Sequence, residues 1–295
     1  MQRVRLWVQL LATLLVNGSW DFPITRTIYQ GPLKVLCAPG LSCYSCPSAT
    51  TACPLGALQQ LLGGLRPALE SGQFYLGFYV AGFMGLMGGI LGRGVCGWLC
   101  PFGLLQDLLY KIPSRKFAIP HSWRYLKYGI LVFFVILLPL LVVAPGGVGD
   151  PWFCKYICPA GTLTAGLPLL LMQPSLRQAV GLLFLNKLLI MVLFMTWAVY
   201  ASRPFCRTTC PLGAFYALFA KVRLVRLRLD VNRCTNCKAC HQVCPMGVRF
   251  NENPDDPECI SCLACMNQAC EFDAISLEIG GQPVGATARA PTTEP

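Results

Sequence analysis

The chain has 295 residues, of which 55% are hydrophobic and only 13% charged, well below the charged share of an ordinary soluble domain. Its net charge is +11, but the bases flank apolar runs and cysteine groups. They form no solvated patch with interleaved aromatics, which excludes a nucleic-acid partner and fits charge at a membrane surface.

The N-terminus, MQRVRLWVQLLATLLV, has a basic start and an apolar run with no small-residue cleavage site behind it, so residues 5–22 are predicted to be a retained first membrane helix. A cysteine-rich segment with Cys37, Cys43, Cys46 and Cys53 follows. A second span is predicted from Phe74 to Leu91, where Gly77, Gly82, Gly85, Gly88 and Gly89 suit close helix packing. The third runs from Tyr128 to Val143 and should bend at Pro139. After Cys158 the apolar run is too short to span and reads as a re-entrant or interfacial helix. The fourth span runs from Leu182 to Ala201. The fold class is thus an α-helical membrane protein, with about four transmembrane helices and short re-entrant helices over residues 1–220. A ferredoxin-like α+β domain is expected over 221–279. The Gly, Ala, Pro and Thr-rich tail over 280–295 is expected to be disordered, and its Gly285-Ala286-Thr287 is only faintly like a flavin attachment site.

The most informative stretch is VNRCTNCKACHQVCPMG followed by ECISCLACMNQAC. Cys234, Cys237, Cys240 and Cys244 keep the C-x-x-C-x-x-C-x-x-x-C-P spacing in which three thiolates hold one iron–sulfur cube and the fourth holds a second. The reciprocal set is Cys259, Cys262, Cys265 and Cys270. One [4Fe-4S] cluster is therefore expected on Cys234, Cys237, Cys240 and Cys270, and another on Cys259, Cys262, Cys265 and Cys244. An extra residue separates Cys265 from Cys270, and Glu271 stands where proline is usual in this pattern. Zinc also takes paired thiolates, but a third cysteine at the same spacing is foreign to most zinc modules.

Four times the chain writes C-P-x-G before a short apolar helix, as CPLGALQ, CPFGLLQ, CPAGTLT and CPLGAFY, at Cys53, Cys100, Cys158 and Cys210. Partner cysteines lie four residues earlier at Cys96, Cys154 and Cys206, and seven earlier at Cys46. Proline suits the first helical position, so the free N–H groups of each helix start should point at the cysteine sulfur and favour an anionic cluster there. The glycine should let backbone approach that cluster. Four cubes need 16 of the 18 cysteines. With the N-terminus inside, four spans bring Cys96, Cys100, Cys206 and Cys210 together on the inner side, with the ferredoxin domain. Six thiols remain on the outer side, where the expected ligands are Cys46, Cys53, Cys154 and Cys158, with Cys37 and Cys43 as the surplus pair. Fourteen bases fall inside against six outside, in keeping with that orientation.

CGWLCPFGLLQDL, CRTTCPLGA and the terminal double motif together resemble the membrane-bound 4Fe-4S polyferredoxin family. That family is related to the quinol-oxidising iron–sulfur subunit of periplasmic nitrate reductase and to the membrane electron donor of nitrous oxide reductase. The resemblance covers residues 74–275. It implies four clusters and electron transfer at a bacterial inner membrane, with lipid around the chain and a redox partner protein or the quinone pool at its ends. The expected role is to carry single electrons between a cytoplasmic or quinone donor and a membrane or extracytoplasmic acceptor. Rival roles are reductive assembly of a metallocentre and thiol-based redox sensing through an exposed Cys37 and Cys43. No acid/base pair is arranged for catalysis, although Asp107 is the one acid near an inner motif and a candidate for taking a quinol proton. With only His121 and His241, neither within a span, a bis-histidine haem in the bilayer is excluded.

Overall fold

The computed structural model describes residues 2–72, 75–143 and 147–284. The start of the second expected span at Phe74 and the tail from residue 285, with its Gly-Ala-Thr triplet, lie outside them. Among the described residues two helices, His121–Leu141 and Leu182–Tyr200, are long and apolar enough to cross a membrane, whereas four spans were expected. The other two form as shorter helices, Gln2–Val16 and Tyr75–Leu91. At about 1.5 Å per residue these reach roughly 22 and 26 Å, short of a hydrocarbon core of about 30 Å.

All four helices nevertheless connect the same two ends of the molecule. At the first end, Arg5 Nε donates to the Gly97 carbonyl at 3.0 Å, beside the Cys96 motif. At the second, the Thr50 N–H closes on the Val16 carbonyl at 2.9 Å, beside the Cys53 motif. Tyr75–Leu91 packs on Pro54–Gly63 and, further along, on Gly94–Trp98 and the strand Val225–Leu229. Leu182–Tyr200 touches Trp152–Tyr156 and Pro159–Gly161 as well as Pro101–Tyr110 and Pro204–Thr208. Its outward positions, including Leu182, Leu185, Leu189, Val192 and Leu193, are exposed and apolar, as a lipid-facing surface requires.

Pro139 does not break its helix. A π turn over Leu131–Leu137 precedes it, and a second π turn over Thr162–Gly166 precedes Pro168 in the short apolar helix after Cys158. Proline lacks the N–H for the i−4 carbonyl and its ring crowds that carbonyl, so a locally widened turn relieves both problems. Gly77 lies outside the residues whose surroundings are described; among the other expected packing glycines only Gly88 shows a close approach, where an added Cβ would fall 2.6 Å from the Phe219 ring. Gly82, Gly85 and Gly89 face open space.

The terminal module is closed by an antiparallel sheet, β1 (Val225–Leu229), β2 (Ile275–Ile279) and β3 (Gln282–Val284), in that order, with Leu227 opposite Leu277. The strands bracket the two cysteine runs, so one pairing shuts the loop that carries eight thiols. Leu227, Val248, Phe250, Ile260 and Ile275 fill its core. The module sits on the first end of the helices. Trp98 Nε1 donates to the Ser261 carbonyl at 2.9 Å, and Arg223 Nη1 to the Cys259 carbonyl at 2.9 Å. Gly97 is needed at this seam, because a Cβ there would lie 2.5 Å from the Ile260 carbonyl oxygen.

The seam is tied by buried charge. Glu258 pairs with both Arg93 and Lys127, whose side chains are 1% and 0% exposed. Burial alone would raise the Glu258 carboxyl, but Arg93 and Lys127 overcome it and hold the group below the usual glutamate range. Removing one member of such a set strands the others in low dielectric. Glu258→Gln should therefore cost about 3–5 kcal/mol, seen as a lower thermal midpoint and faster proteolytic release of the terminal module. An unchanged midpoint would show that the two cations find water or another acid.

Candidate metal centres

Each C-P-x-G motif begins a helix with cysteine at the N-cap and proline at the first position, at Pro54, Pro101, Pro159 and Pro211. None of the four starts closes a side-chain cap bond to the cysteine sulfur. The prolines fix φ and leave no extra donor to satisfy, so the helix start is preshaped around the sulfur.

These motifs meet in pairs. At the first end, Cys210 lies within electrostatic reach of Cys96, Cys100 and Cys206. At the second, Cys154 lies within reach of Cys158, Cys53 and Cys43, and these four line a cavity of about 480 Å³. Here the structure departs from the expected grouping, since Cys43 and not Cys46 faces the other three. The Cys46 N–H folds back on the Cys43 carbonyl at 3.0 Å in a tight turn. Cys46 then points to Ser48 Oγ at 3.2 Å and Asn17 Oδ1 at 3.8 Å. Cys37 is buried, so it is not the exposed thiol expected of it; its backbone forms a bridge with Ala52. In the terminal module Cys265 lies within reach of Cys259, Cys262 and Cys244, and Cys240 within reach of Cys237 and Cys234. Cys270 closes its run through a π turn, Cys265–Ala269, with its N–H on the Cys265 carbonyl at 3.0 Å. That wider turn takes up the residue by which the spacing exceeds the usual pattern. Cys244 and Cys270 are equivalent in one further respect, each sulfur accepting the N–H four residues on, from Val248 at 3.4 Å and Ala274 at 3.3 Å.

Charge is distributed reciprocally at the first end. Arg93 Nη2 donates to the Cys206 carbonyl at 2.9 Å, and Arg203 Nη1 to the Cys96 carbonyl at 2.8 Å. Each arginine stands three residues before the first cysteine of its own motif and clasps the other motif. The motif glycines make room for this clasp. A Cβ on Gly103 would fall 2.8 Å from the Cys96 oxygen, and one on Gly213 would fall 3.2 Å from Arg93 Nη2. At the second end a Cβ on the motif glycines would meet sulfur only at ordinary contact distance, Gly161 with Cys43 at 3.4 Å and Gly56 with Cys154 at 4.0 Å.

Between the two ends runs a non-helical strap, residues 39–43. Leu41 and Ser42 line the second cavity together with Cys43 and Cys53. Gly40 lies so close to Cys100 that a Cβ would sit 2.7 Å from its Cα. The Tyr216 hydroxyl holds the strap by donating to the Pro39 carbonyl at 2.9 Å. Tyr216 ends the CPLGAFY motif, but nothing in the sequence marks the strap as its partner.

Among the described residues no three His, Cys, Asp or Glu side chains converge as the ligands of one metal ion do. Thiols line cavities instead, Cys43, Cys53, Cys154 and Cys158 in one and Cys240, Cys244, Cys259, Cys262 and Cys265 in another. Several buried donors near the cysteines lack a partner: Ser42 Oγ next to Cys43, Ser261 Oγ next to Cys262, Arg93 Nε, and Arg223 Nε and Nη2. Such orphans are costly unless an acceptor reaches them. Grouped thiols with unpartnered cationic and hydroxyl donors nearby fit an anionic iron–sulfur cluster.

The fold and these sites define an iron–sulfur protein of the electron-transfer class. The chain belongs to a 4Fe-4S binding domain family whose pattern matches residues 51–70, 74–120, 131–171 and 184–230, each segment holding one C-P-x-G motif. A second 4Fe-4S binding domain pattern matches residues 227–250. An uncharacterized protein of Methanocaldococcus jannaschii is 32% identical over 197 residues, covering 63% of this chain and 72% of that protein. The ferredoxin-type protein NapH of Haemophilus influenzae is 26% identical over 62% of this chain and 61% of its own length. The regulatory protein NosR of Pseudomonas aeruginosa is 30% identical over 59% of this chain and only 23% of its own. No solved structure matches the chain.

Asp107 is placed differently from a proton acceptor. Arg5 Nη2 pairs with its carboxylate, and Arg203 Nε and Nη2 bind it at 2.6 Å each. Burial would raise this carboxyl, but Arg203 and then Arg5 hold it below the ordinary aspartate range. A group depressed in this way contributes stability that is complete above the unfolded value of about 3.9 and is lost as pH falls through the folded one. Asp107→Asn should cost about 3 kcal/mol at pH 7. The gap to wild type should close on acidification below about pH 4, as followed by thermal melts across pH. A gap that stays constant with pH would contradict the assignment of the two ion pairs.

Proposed function

We propose that this chain is a membrane electron conductor with four [4Fe-4S] clusters, two in the terminal module and two between the helices. The terminal ligands are Cys234, Cys237, Cys240 and Cys270 for one cluster and Cys244, Cys259, Cys262 and Cys265 for the other. The first membrane set is Cys96, Cys100, Cys206 and Cys210. The second is Cys43, Cys53, Cys154 and Cys158, leaving Cys37 and Cys46 over. Each cluster, when bound, stores and releases one electron. The chain's own part is to hold the sets in series and dry.

The observation that carries this reading is the strap. Gly40 packs directly against Cys100 of the first set, and the next residues, Leu41, Ser42 and Cys43, line the cavity of the second set with Cys53, Cys154 and Cys158, so one short stretch of backbone lies between the two sets. On the other flank the Cys259 loop rests on the Cys96 motif through Trp98, Arg93 and Arg223. Cys237 is exposed, which suits exchange with a soluble donor at the far end of the module. The continuous order is terminal module, first membrane set, strap, second membrane set. All four helices crossing the membrane, with N-terminus and terminal module on the cytoplasmic face, fits this order. Thinning of the bilayer around the two shorter helices accommodates their length. Burial of Cys37 and the inward-facing Cys43 leave no exposed dithiol, which favours conduction over thiol sensing. Asp107, locked by two arginines, favours a protein donor over quinol at that acid.

Anaerobically reconstituted protein should contain about 16 irons, four per cluster. Cys43→Ser should remove about four of them and Cys46→Ser none, with the loss read by iron and sulfide analysis and by paramagnetic resonance. The opposite pattern would return the second set to Cys46. Cys154→Ser with Cys158→Ser should stop electron delivery beyond the strap while the terminal clusters still reduce. Reporter fusions after Arg66 and Arg177 should read outside, and fusions after Lys116 and at the C-terminus inside; a terminal module outside sinks the orientation.

A further inference from the structure

Two buried glutamines occupy the same place in the two membrane sets. Gln59 and Gln106 stand six residues after Cys53 and Cys100, and both are almost fully buried, at 0% and 1% exposure. Gln59 Nε2 donates to Cys154 Sγ at 3.1 Å, and Gln106 Nε2 donates to Cys206 Sγ at 3.1 Å. Each amide oxygen accepts a backbone N–H from the residue before that cysteine, Phe153 at 3.0 Å and Phe205 at 3.2 Å. Each Nε2 also reaches the carbonyl one turn back in its own helix, Leu55 at 3.4 Å and Phe102 at 3.2 Å. The amide orientation follows from the network itself. A backbone N–H can only donate, so the oxygen must face the phenylalanine and the NH₂ must face the sulfur.

The repeat unit is therefore larger than the cysteine pattern. One half is C-P-x-G-x-x-Q and the other is F-C-x-x-x-C-P, and they interleave along the chain: Cys53 to Gln59, Cys100 to Gln106, Phe153 to Cys158, Phe205 to Cys210. The first half of each unit recognises its own second half through one amide. The other two motifs have Thr164 and Tyr216 at the glutamine position, and neither reaches a sulfur: Thr164 Oγ1 bonds the Ala160 carbonyl and the Tyr216 hydroxyl bonds the Pro39 carbonyl. Each set thus receives one such amide, on one particular thiol.

We propose that Gln59 and Gln106 set the reduction potentials of the second and first membrane centres, by hydrogen bonding to the ligand sulfurs of Cys154 and Cys206. This rests on the assignment of those thiols to clusters made above. A donor on a ligand sulfur stabilises the more negative, reduced state, and hydrogen bonds to sulfur are among the factors that set cluster potentials. In a buried site the bond is unscreened by water, which strengthens it. Both glutamines are positioning residues that leave the thiol as the ligand.

The test uses the full-length protein, anaerobically reconstituted, with iron content and a redox titration followed by paramagnetic resonance for each variant. Gln106→Leu and Gln106→Met keep volume and remove the N–H donor. Either should disfavour reduction of the first membrane centre about tenfold, a downward shift of about 59 mV for a one-electron couple, and leave the second unmoved. Gln59→Leu and Gln59→Met should shift only the second. Assembled clusters with unshifted potentials, or shifted upward, overturn the proposal. So does loss of the cluster from both variants at a site, which makes the glutamine a structural clamp. Wild-type protein with only the two terminal clusters refutes the cluster assignment itself, and the proposal falls with it.

Discussion

The structure is governed by the cost of gathering thiolates in low dielectric. Four anionic sulfurs within one helical packing demand compensation from every direction, and surface water is not available to provide it. The chain answers with backbone dipoles first. Four helix starts, each with cysteine at the N-cap and proline behind it, aim their free N–H groups at sulfur. Because those helices are short, their other ends emerge quickly, and the long helices are left to frame the sites.

Compensation differs between the two ends. The first set lies between Arg93 and Arg203, which clasp each other's motif and are themselves neutralised by Glu258 and Asp107. Glu258 belongs to the terminal module and Asp107 to the helix that Cys100 begins, so charge balance at the site doubles as assembly: Glu258 brings the terminal module down, and Asp107 collects Arg203 as well as Arg5 of the first helix. The second set has no such arginines. Lys155 and Lys187 border its cavity with hydroxyl and amide side chains, and Gln59 donates to Cys154. One repeat has thus been embedded in two electrostatic settings, the first coupled to a folded partner module and the second open to a cavity.

Backbone irregularity follows the same economy. Where the sequence carries an extra residue or a proline inside a helix, a π turn takes it up, at Cys265–Ala269, at Leu131–Leu137 and at Thr162–Gly166. The first carries the chain from Cys265 to Cys270 across its longer spacing. The strap over residues 39–43 is the other irregular element, and it is tolerated inside the molecule because the Tyr216 hydroxyl supplies a partner for its backbone.

Spacing was enough to read the helical class, the four C-P-x-G starts and the terminal double run from the sequence, because ligation by a loop and capping by a helix start are local events with fixed intervals. The pairing of motifs also followed, since alternating helices can bring only alternate motifs to one end. What the sequence left open was decided by contacts between distant residues. Cys43 lines the cavity with Cys53, Cys154 and Cys158 while Cys46, one tight turn on, lies against Ser48. The motif glycines serve arginines at one end and sulfurs at the other, which no single motif reveals. Gln59 and Gln106 were visible in CPLGALQ and CPFGLLQ, but their meaning required Cys154 and Cys206, about a hundred residues away, to arrive beside them. Local spacing determines which residues are able to bind; only the packed chain determines which of them face the same space.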